Sequence, residues 1–230
     1  MVERNAQGRI VADYGALIPE EFDLAVAEQA VVYLPMGSIE WHNNHLPFNT
    51  DSLIAEGLCR RLAAETGGLI LPANPWATAC TFNKGGPYPF DRAAGTIALF
   101  DADLHHRLLS RIARGVTDNG FRRLVMMAGH VGRDDRESME RVADEVNALG
   151  EAKAIFVYPY RHTKGDHAGH FETLMLLGLD AEQVRAGKTY VPFAHGHPLD
   201  GTETPEAGRQ KIDQVVAALL ESVRREFGLK

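Results

Sequence analysis

An α/β sandwich on a mainly parallel sheet is the fold this chain predicts, on three observations. Short, nearly continuous apolar runs alternate with stretches of helical periodicity over most of the 230 residues. Such runs mark parallel strands buried on both faces, and the helices between them supply the right-handed crossovers that parallel strands require. The polar clusters follow directly after the apolar runs, at the carboxyl ends of strands, where open sheets of this class bind ligands. A hydrophobic content of 45% is enough for one sizeable core, and no repeat, low-complexity tract or linker divides the sequence. Residues 1–230 are therefore expected to form one domain.

The elements follow in order. Residues 30–36 (AVVYLPM) are a short apolar run and read as a buried strand. Residues 51–66 have helical periodicity, with Leu53, Ile54, Leu58 and Leu62 on one stripe and Thr50 or Asp51 as N-cap. Residues 68–71 read as the next strand. From 72 to 95 the chain is rich in Gly, Pro and aromatic residues without periodicity, the composition of a functional loop or one with small extra elements. A short strand is expected at 95–99 and a helix at 102–119, ended by Gly120. A strand at 123–128 precedes a helix from about 134 to 149, for which Asp134 is the expected N-cap. Residues 152–158 form a further strand, 167–177 look helical, and 205–227 form a closing amphipathic helix.

Composition excludes several functions. Lys and Arg total 24 against 31 Asp and Glu, a formal charge of -7, and a phosphate-backbone binder needs a basic face, so no nucleic acid is expected. With only Cys59 and Cys80, no disulfide framework is expected and a reducing compartment is the default. The opening residues lead into no apolar run of signal-peptide type, and no stretch reaches the ~18 apolar residues of a membrane span. A cytoplasmic protein without a membrane partner is the expectation.

The polar clusters point to metal chemistry. Between Gly37 and Asp51 the chain packs Glu40, His42, His45 and Asp51 after the first strand. Carboxylates mixed with imidazoles suit Zn²⁺, Mn²⁺ or Fe²⁺, and a carboxylate can bridge two such ions. Glu40 and His42, two apart in an extended segment, point the same way. Asp51 returns to that point at the start of a helix. A solvated loop with incidental charges explains this pattern less well, since apolar Leu46 and Pro47 sit among the polar groups. His45 is open between a ligand and a hydrogen-bond partner of a ligand carboxylate. Gly129 to Asp134 reads equally as a strand-to-helix turn, but that leaves His130 unexplained, and the first cluster makes His130 a candidate ligand. In the third cluster, residues 166–173, the small Ala168 and Gly169 suggest close approach of backbone to a ligand. There His167 suits proton transfer and Glu172 suits a metal, beside the plainer reading of an acid complementing a helix dipole. His105 and His106, near Arg107 and Arg111, read as a solvated helix face. His195 and His197 lie in a Gly/Pro loop with no acid at ligand spacing. Trp76, Phe82, Tyr88 and Phe90 could pack over a substrate or fill the core.

These residues resemble a known family. Gly-Ser-x-Glu-x-His-x-x-His-Leu-Pro-x-x-Thr-Asp, here Gly37 to Asp51, is similar to the signature of the creatininase (creatinine amidohydrolase) family. Gly129-His130, the His167-Ala168-Gly169 to Glu172-Thr173 segment and Gly95-Thr96-Ile97 resemble its other landmarks, in order from about Val31 to Thr173. The resemblance implies a three-layer α/β/α, creatininase-like fold, a homo-oligomer, often a hexamer, and two divalent metal ions per chain (Zn, Mn or Fe). It implies Glu40, Asp51 and His130 on one metal, and His42 with bridging Asp51 on the other. The family's glutamate two residues after the Gly-His histidine is Gly132 here, and Glu172 is the natural substitute. Relatives commonly continue Gly-His-Gly-Gly-Asn, whereas this chain has Val131 and Arg133 at the flanking positions. Arg133 could meet an anionic or carbonyl group, and Trp76 is a further candidate for the pocket. The usual Ser and His ahead of Gly95 are absent from residues 82–94, so the substrate pocket is expected to have diverged from one for creatinine.

The expected activity is metal-dependent hydrolysis of a C–N bond in a small cyclic amide or formamide, with His167 and Glu172 as catalytic residues. Two alternatives stand beside it. One is hydrolysis of a C–C bond in a cyclic ketone such as an oxidised inositol; the other is a metal-binding homologue without catalysis.

Overall fold

In the computed structural model, residues 2–78, 95–97, 99, 101–192 and 196–229 are described. Six strands and six α-helices fall among them, in the order β1 (Glu3–Arg4), β2 (Ile10–Asp13), α1 (Pro19–Ala27), β3 (Val32–Met36), α2 (Thr50–Thr66), β4 (Gly68–Ile70), α3 (Ala102–Asp118), β5 (Arg123–Ala128), α4 (Arg133–Ala148), β6 (Lys153–Val157), α5 (His170–Asp180) and α6 (Pro205–Phe227). The sheet runs β1-β2-β4-β3-β5-β6. Every pairing is parallel except β1 with β2.

Alternation along the strands divides the core into two layers. Val32, Leu34 and Met36 of β3 join Leu124, Met126 and Ala128 of β5 against Leu109, Ala113, Met139 and Val142 of α3 and α4. Val31, Tyr33, Val125 and Met127 face the other way, onto Ile54, Leu58 and Leu62 of α2 and Met175, Ile212 and Leu219 of α5 and α6. Each face of the sheet thus buries an apolar layer, the arrangement that the unbroken apolar runs require. The α/β sandwich, with helices on both faces of a mainly parallel sheet, is the predicted fold.

Pro35 lies inside a central strand, where a residue without an N–H is normally excluded. The register removes the conflict. β4 ends at Ile70, whose partner on β3 is Tyr33, two residues before Pro35. Beyond it the carbonyl of Pro35 accepts from Asn74 N (2.9 Å), in the loop that leaves the sheet. The proline therefore falls where the β4 ladder has already stopped.

Several boundaries differ from the sequence reading. α2 starts at Thr50, and Asn49 is its N-cap residue without a side-chain bond; Thr50 Oγ1 instead donates to Pro47 O (2.7 Å). Gly132, not Asp134, is the N-cap of α4, so no side chain caps that helix. Of the expected strand at 95–99, the described residues form an isolated bridge between Ile39 and Ile97. α5 starts at His170, which leaves His167 in the preceding loop. β1, β2 and α1 were not assigned from sequence, although Pro19 at the first helical position with Glu20 and Glu21 behind it is a helix-start signal. None of the described helices is long and apolar enough to cross a membrane.

Candidate metal centre

The chain leaves β3 toward α2 on one face of the sheet and leaves β5 toward α4 on the other. A crevice therefore opens beyond the carboxyl ends of these neighbouring strands, the place where open sheets bind ligands. Two glycines let α2 enter it. A Cβ on Gly37 would strike Ser52, and one on Gly129 would strike the carbonyl oxygen of Asp51. Backbone alone can pass there, so the first turn of α2 lies against the ends of β3 and β5.

Glu40, His42, Asp51, His130 and Glu172 converge in this crevice. All but His130 are buried, and His130 is nearly so. Nδ1 of His130 lies 2.8 Å from Glu40 Oε1 and 3.2 Å from Asp51 Oδ2. Nε2 of His42 lies 3.2 Å from Asp51 Oδ1 and 3.4 Å from Glu172 Oε2. Donor atoms of Glu40, Asp51 and His130 fall within 4.8 Å of one another, as do those of His42, Asp51 and Glu172, with Asp51 common to both. Glu40, His42 and His167 form a third such group. His170, Asp200 and Glu203 form a fourth that shares no residue with the rest, closed by a 2.5 Å contact from His170 Nδ1 to Glu203 Oε1.

Surrounding groups hold the donors in place. His42 Nδ1 lies 3.0 Å from the Glu40 carbonyl, so this nitrogen carries the proton donated there and Nε2 faces the carboxylates. Asp51 Oδ2 accepts from Ser38 Oγ (2.5 Å). Glu172 Oε2 accepts from Ala168 N (2.7 Å) and Oε1 from Tyr160 OH (3.4 Å). Ala168 adopts φ 52, a left-handed conformation rare for a residue with a Cβ, and strain of that kind concentrates at functional sites. Asp166 accepts from Glu172 N (3.1 Å) and Phe171 N (3.2 Å), which secures the first turn of α5. Trp41 N donates to Thr96 Oγ1 (3.0 Å), giving the Gly95-Thr96-Ile97 landmark a task beside the site.

The electrostatics are those of a cation site. Three carboxylates lie together in a buried space, and among the described residues no Lys or Arg forms an ion pair with them. Burial opposes charge on His42, but Asp51, Glu172 and Glu40 outweigh it and push its pKa up to about 10. Burial raises the carboxyl of Asp51, yet His42 and His130 hold it well below the usual carboxylate range. Glu172 goes the opposite way: burial, with Asp51 and Asp166 nearby, lifts it well above that range. Oε1 of Glu40 is buried and accepts no hydrogen bond in spite of its closeness to His130. Protons alone serve this donor set poorly, and divalent cations fit it.

His167 adjoins the cluster. Its Nε2 lies 2.7 Å from the Trp41 carbonyl, Nδ1 lies 3.6 Å from Glu40 Oε1, and its ring is 4.7 Å from that of His42. Burial, with His42 adding to it, lowers its pKa to about 4, which leaves it neutral near pH 7. The other predicted positions lie elsewhere. His45 neither joins the cluster nor bonds a carboxylate; its Nε2 meets Thr173 Oγ1 at 2.8 Å, tying the first motif to α5. Arg133 is exposed at the start of α4, and Trp76 is 40% exposed in the loop after β4. His197 is exposed, with Nδ1 3.7 Å from Asp166 Oδ2. His105 is a correction: it is fully buried, 3.5 Å from Asp135, because α3 turns that face inward under α4. His106 is half-buried and meets Glu145 at 3.1 Å. Phe82, Tyr88, Phe90, Cys80 and His195 lie outside the described residues. Sequence reasoning gave no role to Ser38 and Asp166, although both lie inside its motifs, nor to Asp135 and Tyr160, yet all four touch the ligand-type residues.

This fold and donor set define a class. The creatinine amidohydrolase (Creatininase) family model matches residues 17–218, and the chain belongs to the creatininase family. It is a hydrolase of that family, with metal-binding residue groups at the strand ends. It is 26% identical to creatinine amidohydrolase of Pseudomonas putida over 93% of this chain and 96% of that protein. To the mycofactocin precursor peptide peptidase of Mycobacterium tuberculosis (strain CDC 1551 / Oshkosh) it is 33% identical, over 67% of this chain and 60% of that protein. A solved structure described as "Creatininase Mn" superposes with a TM-score of 0.73 at 25% identity, covering 94% of this chain and 98% of that one. A creatininase variant of "Zn-Zn type", 24% identical with a TM-score of 0.76 over 93% and 97% of the two chains, shares the fold.

Proposed function

We propose that this protein hydrolyses the C–N bond of a small cyclic amide or formamide at a dinuclear metal centre. The observation that carries the proposal is the pair of buried donor groups sharing Asp51, Glu40–Asp51–His130 and His42–Asp51–Glu172. On this reading Glu172 supplies the carboxylate missing at Gly132. Zn, Mn or Fe would suit the donors, and such ions lower the pKa of water and polarise a carbonyl oxygen.

The chain's own residues then do the following. Asp51, held by Ser38, keeps both donor groups at a fixed separation. Glu172, held by Ala168 N and Tyr160, has a carboxylate edge facing His42, from which it can orient the attacking water. His167, neutral and with Nε2 bonded to the Trp41 carbonyl, presents Nδ1 toward Glu40. It takes a proton from the water as the new C–O bond forms and delivers it to the nitrogen as the C–N bond breaks. The amine leaves neutral, and the carbonyl carbon ends as a carboxylic acid.

The relationship to a precursor-peptide peptidase supports a second substrate class, a peptide, for the same C–N chemistry. Metal analysis with product analysis tests the proposal. About two ions per chain are expected, together with an amine released from a lactam, a formamide or a peptide. One ion or none would support a metal-binding homologue without catalysis. Ring opening of a cyclic ketone with no nitrogen substrate turned over would move the reaction to a C–C bond. Glu40→Gln and His130→Ala should each lower bound metal and activity together.

A further inference from the structure

We propose that Asp135 is a positioning residue: it draws the imidazole proton of His130 to Nε2, which frees the Nδ1 lone pair, between Glu40 and Asp51, for a cation. For its effect on metal affinity the inference rests on the dinuclear reading above; for the tautomer it does not.

The two nitrogens of His130 face different carboxylates. Nδ1 lies against Glu40 and Asp51, and Nε2 lies 3.4 Å from Asp135 Oδ2. A neutral imidazole carries one proton, and the carboxylates beside its two nitrogens compete for it. With Nε2–H directed at Asp135, Nδ1 offers a lone pair to a cation. In the other tautomer an N–H would project into the donor group instead.

Asp135 is built for this task in a way its neighbour is not. An acid in the first turn of α4 would complement the helix dipole equally well in solvent, as exposed Asp134 does. Asp135 is 1% exposed, and burying a carboxylate is costly unless hydrogen bonds compensate. Thr78, from the loop after β4, supplies them: its N–H donates to Oδ1 (2.8 Å) and its hydroxyl to Oδ2 (2.9 Å). His105 closes the other side, 3.5 Å from Oδ1. The carboxylate is thereby clamped between α3, α4 and that loop, with Oδ2 directed at His130.

Asp135→Asn separates positioning from packing. The side chain keeps its shape, its amide oxygen can still accept from Thr78 N, and its NH₂ can donate to the Thr78 hydroxyl. Two groups meet a changed partner at the former Oδ2: the Thr78 hydroxyl, which can turn from donor to acceptor, and His130 Nε2, which cannot accept while it carries a proton. Two measurements follow on the full chain. The His130 tautomer is read by long-range ¹H–¹⁵N correlation on metal-free, ¹⁵N-histidine-labelled protein, at a pH where the ring is neutral. Zinc affinity is read by competition with a chromophoric chelator. In metal-free protein Glu40 and Asp51 draw the proton to Nδ1 and Asp135 draws it to Nε2, so a measurable Nε2–H population is expected in the wild type. Asp135→Asn should shift it to Nδ1–H and weaken the tighter or the weaker zinc site by roughly 10–100-fold, the usual cost of losing an outer partner of a ligating histidine. Thr78→Val, which removes one anchoring bond, should move affinity less and in the same direction. Unchanged tautomer and affinity in Asp135→Asn, with circular dichroism like the wild type, would overturn the inference. If wild-type protein binds no zinc, the dinuclear reading falls, and the tautomer alone decides the role of Asp135.

Discussion

His167 approaches Glu40 with one nitrogen while the other is bonded to the Trp41 carbonyl, and that division of labour sets the first expectation. A ring fixed this way suits proton transfer more than structural support, so His167→Ala should leave bound metal near the wild-type level. Turnover should fall by roughly 10²–10⁴-fold, the usual contribution of a general acid–base group. Single-turnover rates alongside metal content test this; full turnover in the variant would remove His167 from the reaction, and loss of metal would recast it as a ligand. His45 shows the limit of reading residues singly. Its place in the motif suggested a ligand or a partner of one, yet its ring spans to Thr173, a contact 128 residues away that no local pattern displays.

At the scale of elements, the site depends on how close α2 comes to the ends of β3 and β5. Gly129 is the tightest point, where backbone meets the carbonyl of Asp51 itself. Gly129→Ala should push Asp51 away, costing about 1–3 kcal/mol of stability through overpacking and lowering metal affinity as well. A thermal melt with a zinc titration checks both; an alanine variant with native affinity would show that α2 can shift without moving Asp51. A second approach joins α5 to α6, where a Cβ on Gly178 would strike the backbone of Gly208. Because α5 carries Glu172, Gly178→Ala is expected to lower stability by a similar amount and to disturb the donor group formed by His42, Asp51 and Glu172. Calorimetry and metal content measured together test that link.

Across the whole molecule, five ligand-type residues come from three separate segments and meet only in the folded chain. A cation bound there stabilises the native state by mass action, about 2.7 kcal/mol when free metal is 100 times its dissociation constant. For a chain of this size that corresponds to roughly 5–10 °C in Tm. Chelation should lower the melting temperature by about that amount, and added Zn²⁺ or Mn²⁺ should restore it. A melting temperature indifferent to chelator would mean that the donor groups carry no tightly bound ion.

The chain's local patterning determined the strands at β3, β5 and β6, the helices at α2, α3, α4 and α6, and the motifs holding Glu40, His42, Asp51, His130, His167 and Glu172. Those features are legible because hydrophobic periodicity and short motifs are properties of neighbouring residues. Tertiary structure alone decided that Glu172 stands beside His42, that His105 is buried, and that Thr78 clamps Asp135 behind His130. Each of these depends on contacts between segments far apart in sequence, made only once the sheet has set which strand ends adjoin. The faint N-terminal elements were missed for a related reason: two- and four-residue strands gain their stability from pairing with the sheet, and little of it is encoded in their own pattern.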